Sequence, residues 1–182
     1  ALASHGVQGL RHWQFQSQRA FVMQTCGRFR EALDLYSDVI PRLHEEGARD
    51  WMASAYCNRG ILHALCGRLT EAESDLVAAR TVYIRMGRSL DAAVVLWNLG
   101  CLARDKGDVV SALERFDAAD PICTKHGEAT GTRLMDRAAL LLSVGVHNEA
   151  RVLAQGARDE FDRMGQVAEL VESEILLAQI SM

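Results

Sequence analysis

Four copies of one short phrase, a glycine followed five residues later by an alanine, organise this sequence of 182 residues. The glycines are Gly27, Gly67, Gly107 and Gly145, and the alanines are Ala32, Ala72, Ala112 and Ala150. The first three glycines are 40 residues apart (67−27 and 107−67), and the fourth follows after 38 (145−107). A second glycine lies 20 residues after each of them, at Gly47, Gly87, Gly127 and Gly165. A regular spacing of this size predicts a stacked array of structural repeats.

Each phrase is typical of a helix that ends, a tight turn and a second helix that begins. Glycine closes helices because it adopts the left-handed backbone conformation without steric cost. Thr70 with Glu73 fits a capping box, and Asp108 and Asn148 are further candidate caps. The apolar periodicity predicts helices at about 8–26, 30–46, 50–66, 70–86, 89–106, 110–126, 129–144, 148–164 and 167–181.

Two further features bear on how these helices pack. Small residues lie seven positions before the first glycine of each repeat, where the pattern predicts a close approach of two helices: Ala20, Gly60, Gly100 and Ala138. Pro41 and Pro121 occupy equivalent places, 14 residues after Gly27 and Gly107, inside predicted second helices. We expect a kink at each proline.

Together these positions resemble the tetratricopeptide repeat (TPR), in a long-period form of about 40 residues. A large apolar residue at the position of Tyr36, Leu76 and Phe116 also fits that family, although the fourth repeat has Ala154 there. The resemblance implies an all-α, right-handed superhelix of antiparallel helix hairpins, with the first helix of each pair lining the concave face. We expect one array with repeats at about 8–47, 48–87, 88–127 and 128–165 and a partial repeat at 166–182. Because the last repeat is incomplete, we interpret the chain as a fragment of a larger protein.

Composition narrows the possible partners. Hydrophobic residues make up 49% of the chain and charged residues 24%, which excludes disorder. The net charge of −4 offers no electrostatic basis for binding nucleic acid or an anionic membrane. Five cysteines without a Cys-x-x-Cys pair favour the reducing cytoplasm. The histidines are scattered and no nucleotide-binding or catalytic motif occurs, so we predict no metal site, no cofactor and no enzymatic activity.

A polar ladder is the candidate binding site. Gln18, Asn58, Asn98 and Asp136 each lie two residues before the small position, which in a TPR-like array faces the concave groove. An Asn side chain both donates and accepts hydrogen bonds, as the backbone of an extended peptide requires. Asn98-Leu99-Gly100 resembles an Asn-Leu-Gly element that has this role in long-period TPR arrays.

Other residues near the ladder have two interpretations each. Trp97 is either an aromatic anchor for a ligand or a packing residue between helices. Arg104 either meets a ligand carboxylate or points into solvent. Arg59 and Arg137 either lay their stems along the core or pair with an acid in the next repeat. The ladder residues themselves could instead bond to neighbouring helices.

Three hypotheses for function follow. The first is a module that binds a protein or peptide segment in the concave groove. The second is a structural scaffold, including a homodimer through the apolar face of the terminal helix, and the third is an enzyme. The run from Asn58 to Phe116 also resembles the TPR region of actinobacterial CHAT-domain proteins, which implies a sensor or recruiting arm beside a caspase-like domain. The alternative is the TPR sensor arm of a bacterial transcriptional regulator.

Overall fold

The computed structural model describes residues 2–128 and 130–181, with side chains from residue 9 onwards. Within these residues the chain forms nine α-helices and no strand, which confirms the all-α prediction. The helices are α1 (Leu2–Thr25), α2 (Phe29–Glu45), α3 (Arg49–Leu65), α4 (Leu69–Arg85), α5 (Ser89–Asp105), α6 (Val109–Lys125), α7 (Thr130–Ser143), α8 (His147–Met164) and α9 (Val167–Ile180). Their ends lie within one residue of the predicted ends, except that α1 begins at Leu2 rather than at residue 8.

Each of the eight turns between helices is closed by one of the regularly spaced glycines. Their φ angles lie between 68° and 78°, a region in which a side chain would be strained. In the first turn, the Gly27 amide donates to the Gln24 carbonyl at 3.0 Å and the Arg28 amide donates to the Met23 carbonyl at 2.8 Å. This pair of bonds is the Schellman motif, and it recurs at the other seven glycines. The chain therefore reverses direction within two to four residues.

The predicted caps are right at one turn and wrong at two. The Asp108 side chain accepts a hydrogen bond from the Ser111 amide at 3.1 Å. Thr70 and Asn148, in contrast, lie inside the first turns of α4 and α8. The helices begin earlier than expected because the residue after the glycine, such as Arg68, already supplies its carbonyl to the first helical bond. Among the N-caps that the structure describes, only Asp108 combines that position with a capping side chain.

Consecutive helices form the hairpins α1–α2, α3–α4, α5–α6 and α7–α8, and α9 packs on α8. The core lies between these helices and is built from residues such as Tyr36, Leu76 and Phe116, each at most 1% exposed. Odd-numbered helices also contact one another across neighbouring hairpins: α1 with α3, α3 with α5 and α7 with α9. They therefore form the inner layer of the superhelix. Pro41 and Pro121 lie within α2 and α6.

The helices of two hairpins approach so closely that only glycine fits. A Cβ atom on Gly60 would lie 2.9 Å from Leu76 Cγ and 3.2 Å from the Ala72 carbonyl oxygen. On Gly100 it would lie 2.6 Å from Phe116 Cε1. The other small positions are fully buried: Ala20, Ala32, Ala72, Ala112, Ala138 and Ala150. The close approach holds the inner helices, and the groove between them, in fixed positions.

Candidate binding groove

The ladder residues lie on successive inner helices: Gln18 on α1, Asn58 on α3, Asn98 on α5 and Asp136 on α7. Gln18 is exposed, whereas the other three are half-buried. This regular placement follows from the repeat, since each ladder residue precedes the small position by two residues.

Three of the four ladder residues reach back to the preceding hairpin. Burial raises the pKa of Tyr36, and the side chain of Asn58 interacts with the Tyr36 hydroxyl and opposes that effect. Asn98 Nδ2 donates to Cys57 Sγ at 3.7 Å. Asp136 Oδ2 accepts a hydrogen bond from Trp97 Nε1 at 2.8 Å. The ladder therefore joins consecutive repeats, which is the structural alternative that the sequence left open.

The hydrogen bonds to neighbouring helices do not use every polar atom of the ladder side chains. Among the described residues, Asn98 makes only the bond to Cys57, so its Oδ1 remains available as an acceptor. A half-buried amide with a free acceptor can hold a backbone N–H of an extended segment. The ladder can thus stabilise the array and contact a ligand at the same time.

Trp97 packs inside the protein. Its side chain is 5% exposed, and its ring stacks on that of Phe116 with 4.2 Å between centroids and an interplanar angle of 24°. The structure therefore supports the interpretation of Trp97 as a packing residue between helices, not as an open aromatic anchor. Its polar edge still contributes to the site, because it fixes one oxygen of Asp136.

Arg104 is held between two carboxylates. Its Nη1 lies 3.0 Å from Asp136 Oδ1, and its Nη2 lies 3.1 Å from Asp105 Oδ1. A guanidinium that is already paired in this way is a poor receptor for a ligand carboxylate. The expectation that Arg104 meets such a group is therefore not supported by this geometry.

A cavity of about 300 Å³ opens between α3, α5 and α7. Its apolar lining includes Ile61, Leu65 and Leu102, and its polar lining includes Asn98, Arg104, Asp105 and Asp136. The fold thus brings together three of the six predicted site residues. Trp97 lines a neighbouring cavity of 250 Å³ with Asn98 and Asp136. Neither cavity includes Gln18 or Asn58.

Sequence reasoning missed Arg133, which fastens α7 to the preceding hairpin. Its side chain is 8% exposed. Its Nε donates to Asp120 Oδ1 at 2.9 Å and its Nη2 donates to Thr124 Oγ1 at 3.1 Å. The guanidinium also lies 6.0 Å from the Trp97 ring centroid, within the range of a cation–π contact. No repeat signal marks Arg133, because only the fourth repeat carries this residue.

Arg59 and Arg137 pair with acids, but not with acids of the next repeat. Arg59 forms two bonds to Asp75 within its own hairpin, from Nε to Oδ2 at 2.6 Å and from Nη2 to Oδ1 at 2.7 Å. Arg137 pairs with Asp117 of the preceding hairpin. Both arginines thereby link neighbouring helices of the array.

The groove thiols are poor nucleophiles. Burial raises the pKa of Cys57 to about 11. Burial, and then the Asp136 carboxylate, raise the pKa of Cys101 as well. His63 Nε2 lies 3.9 Å from Asp75 Oδ2, which is too long for a hydrogen bond. Neither Cys57 nor Cys101 is therefore activated as a thiolate.

Comparison with known proteins places the chain among helical repeat proteins. Residues 51–125 match the family model for the tetratricopeptide repeat, and no family of enzymes is indicated. No match was found among curated proteins. None of the helices described here is long and apolar enough to cross a membrane.

Several solved structures share this fold. BtubC (BKLC) from P. vanneervenii superposes with a TM-score of 0.74 at 17% identity, over 97% of this chain and 80% of that one. The STAND protein with a tetratricopeptide repeat sensor from Pyrococcus horikoshii superposes with a TM-score of 0.76 at 11% identity. The match covers 93% of this chain but 27% of that one. A Rap protein complexed with competence and sporulation factor superposes with a TM-score of 0.63 at 15% identity. The match covers 94% of this chain and 52% of that one. At these identities the likeness concerns the fold alone. The match to the tetratricopeptide repeat model thus concerns residues 51–125, and the solved structures share the helical fold over most of the chain.

Proposed function

We propose that this chain is a non-catalytic module that holds an extended protein or peptide segment in the groove formed by its odd-numbered helices. TPR arrays are typically protein-interaction modules, and the regular placement of Asn58 and Asn98 on adjacent inner helices is the observation that carries the proposal here. The ladder would contact the backbone of the segment, and the cavity between α3, α5 and α7 would take one of its side chains.

The module would act as the sensor or recruiting arm of a larger bacterial, cytoplasmic protein. The support for a CHAT-type protein is the sequence resemblance over Asn58 to Phe116. A sensor arm of a transcriptional regulator is the alternative, and both place the catalytic or DNA-binding function outside this array. The array itself would need neither nucleic acid nor a membrane as partner.

The test is capture of partners from native cytosol by the tagged protein. An Asn58→Ala/Asn98→Ala variant is compared with wild type and with Asn148→Ala/Gln155→Ala, which removes two exposed amides from α8. All three must melt alike before they are compared. We expect a partner that is lost only from the Asn58/Asn98 variant. A partner that all three proteins retain equally would contradict binding through the ladder.

A scaffold function is the second candidate, and α9 carries the observation that favours it. Val167, Val171 and Ile175 lie at successive helical turns and are 69%, 53% and 54% exposed. Exposed apolar residues in such a row are typical of an interaction surface. A homodimer through α9 would appear as a concentration-dependent mass in sedimentation, and Val171→Glu would abolish it.

A further inference from the structure

We propose that the cavity between α3, α5 and α7 accepts the side chain of a lysine or arginine from the bound segment. This inference rests on the proposed function and specifies the chemistry of the ligand. It starts from the division of the cavity lining into an apolar part and a charged part.

The apolar part suits the stem of a long side chain. Ile61, Leu65, Leu76 and Leu102 contribute aliphatic surface to the cavity, and Leu65 is 65% exposed. Lysine and arginine bury their methylene stems along such surfaces while they keep the charged head near polar groups. The volume of about 300 Å³ is at the small end of ligand sites and suits one side chain, not a whole cofactor.

The charged part selects a cation. Three ionisable side chains of fixed charge line the cavity, Arg104, Asp105 and Asp136, and their formal charges sum to −1 (+1−2). Arg104 faces the two carboxylates, so its own charge is compensated within the lining. Burial, and then the Asp136 carboxylate, raise the pKa of Cys101 in the cavity wall, and Arg104 opposes that effect.

Asp105 is the carboxylate that remains available. Both oxygens of Asp136 already accept hydrogen bonds, from Trp97 Nε1 at 2.8 Å and from Arg104 Nη1 at 3.0 Å. Asp105 uses only Oδ1, toward Arg104, and its side chain is 43% exposed. Its Oδ2 has no partner among the described residues, so it can meet the head of an incoming lysine or arginine.

The probe for this inference is n-butylguanidinium, which has the stem and head of arginine but no peptide bond. Methyl-labelled protein is titrated with it, and with valerate as an anion of similar length at equal ionic strength. We expect saturable shifts of the Ile61 and Leu65 methyl groups with n-butylguanidinium and none with valerate. Asp105→Asn should weaken binding about two- to fivefold, as expected for a half-exposed ion pair. The matched control, Asp162→Asn, changes an exposed carboxylate on α8 and should have no effect.

Three results would overturn the inference: no saturable shift, an equal response to valerate, or unchanged binding by Asp105→Asn. Because the probe lacks a peptide backbone, it does not report on how the ladder holds the backbone of a bound segment. A failed titration together with partner loss in the Asn58/Asn98 variant would refute the cationic side chain and leave the binding groove standing. The reverse pair of results would refute the groove and retain a cation site.

Discussion

The close approach of α5 and α6 predicts that the same substitution at two glycines changes the stability of the protein differently. Gly100→Ala would place a Cβ atom 2.6 Å from Phe116 Cε1, whereas Gly156→Ala on α8 would place it 3.4 Å from Leu134 Cδ1. The second distance is an ordinary contact, and the first requires Phe116 to move. Phe116 is fully buried and stacked on Trp97, so it has little room to do so.

The magnitudes follow from two opposing terms. Replacing glycine by alanine inside a helix stabilises the protein by about 0.5–1 kcal/mol. Overpacking a filled core costs about 1–3 kcal/mol. Gly156→Ala should therefore raise the free energy of unfolding by up to about 1 kcal/mol. Gly100→Ala should lie about 1–3 kcal/mol below Gly156→Ala, because the helix term is common to both variants.

Urea unfolding followed by circular dichroism measures both variants. The free energy of unfolding must depend on urea concentration with the same slope in both variants, because a repeat array can lose its all-or-none transition. In a double-mutant cycle, Gly100→Ala should cost less stability when Phe116→Leu is already present, if the ring is the obstacle. If Gly100→Ala were as stabilising as Gly156→Ala, α5 and α6 could not approach as described.

Three further predictions concern buried polar groups. Asp75→Ala should destabilise the protein by about 3 kcal/mol in urea unfolding, because it leaves the Arg59 guanidinium without its carboxylate partner. This value is at the low end for a buried pair, since the Arg59 side chain is 19% exposed and keeps contact with water. Burial lowers the pKa of His63 in the folded state below its unfolded value. His63 therefore costs no stability above the unfolded pKa, and the free energy of unfolding should fall as the pH drops from the unfolded pKa toward the folded pKa. His63→Gln should flatten that part of the stability–pH curve. An unchanged slope would contradict the assignment of this pH dependence to His63. At pH 8, iodoacetamide should modify Cys57 far more slowly than the exposed Cys26, because burial raises the pKa of Cys57 to about 11. Mass spectrometry measures both rates. Equal rates would refute the burial of the Cys57 thiol.

The sequence determined the architecture because its signals are local. A glycine at a helix end, an apolar face of helical period and a small residue at a fixed offset act within one hairpin. These features were enough to place eight of the nine helices to within one residue at both ends. Capping was harder to predict, since Thr70 is a suitable cap residue that the earlier helix start leaves inside α4.

Only the tertiary structure decided which bonds the site residues make. The period put Asn98 and Asp136 on the inner helices, but it could not show that Asp136 is bound by Trp97, 39 residues away, and by Arg104, 32 residues away. Those contacts join two hairpins, and they depend on how one repeat rotates on the next. The same rotation encloses the cavity beside Asp105. Residue spacing fixes where a side chain stands on its own helix, whereas its partners, its burial and its charge environment come from helices distant in the chain.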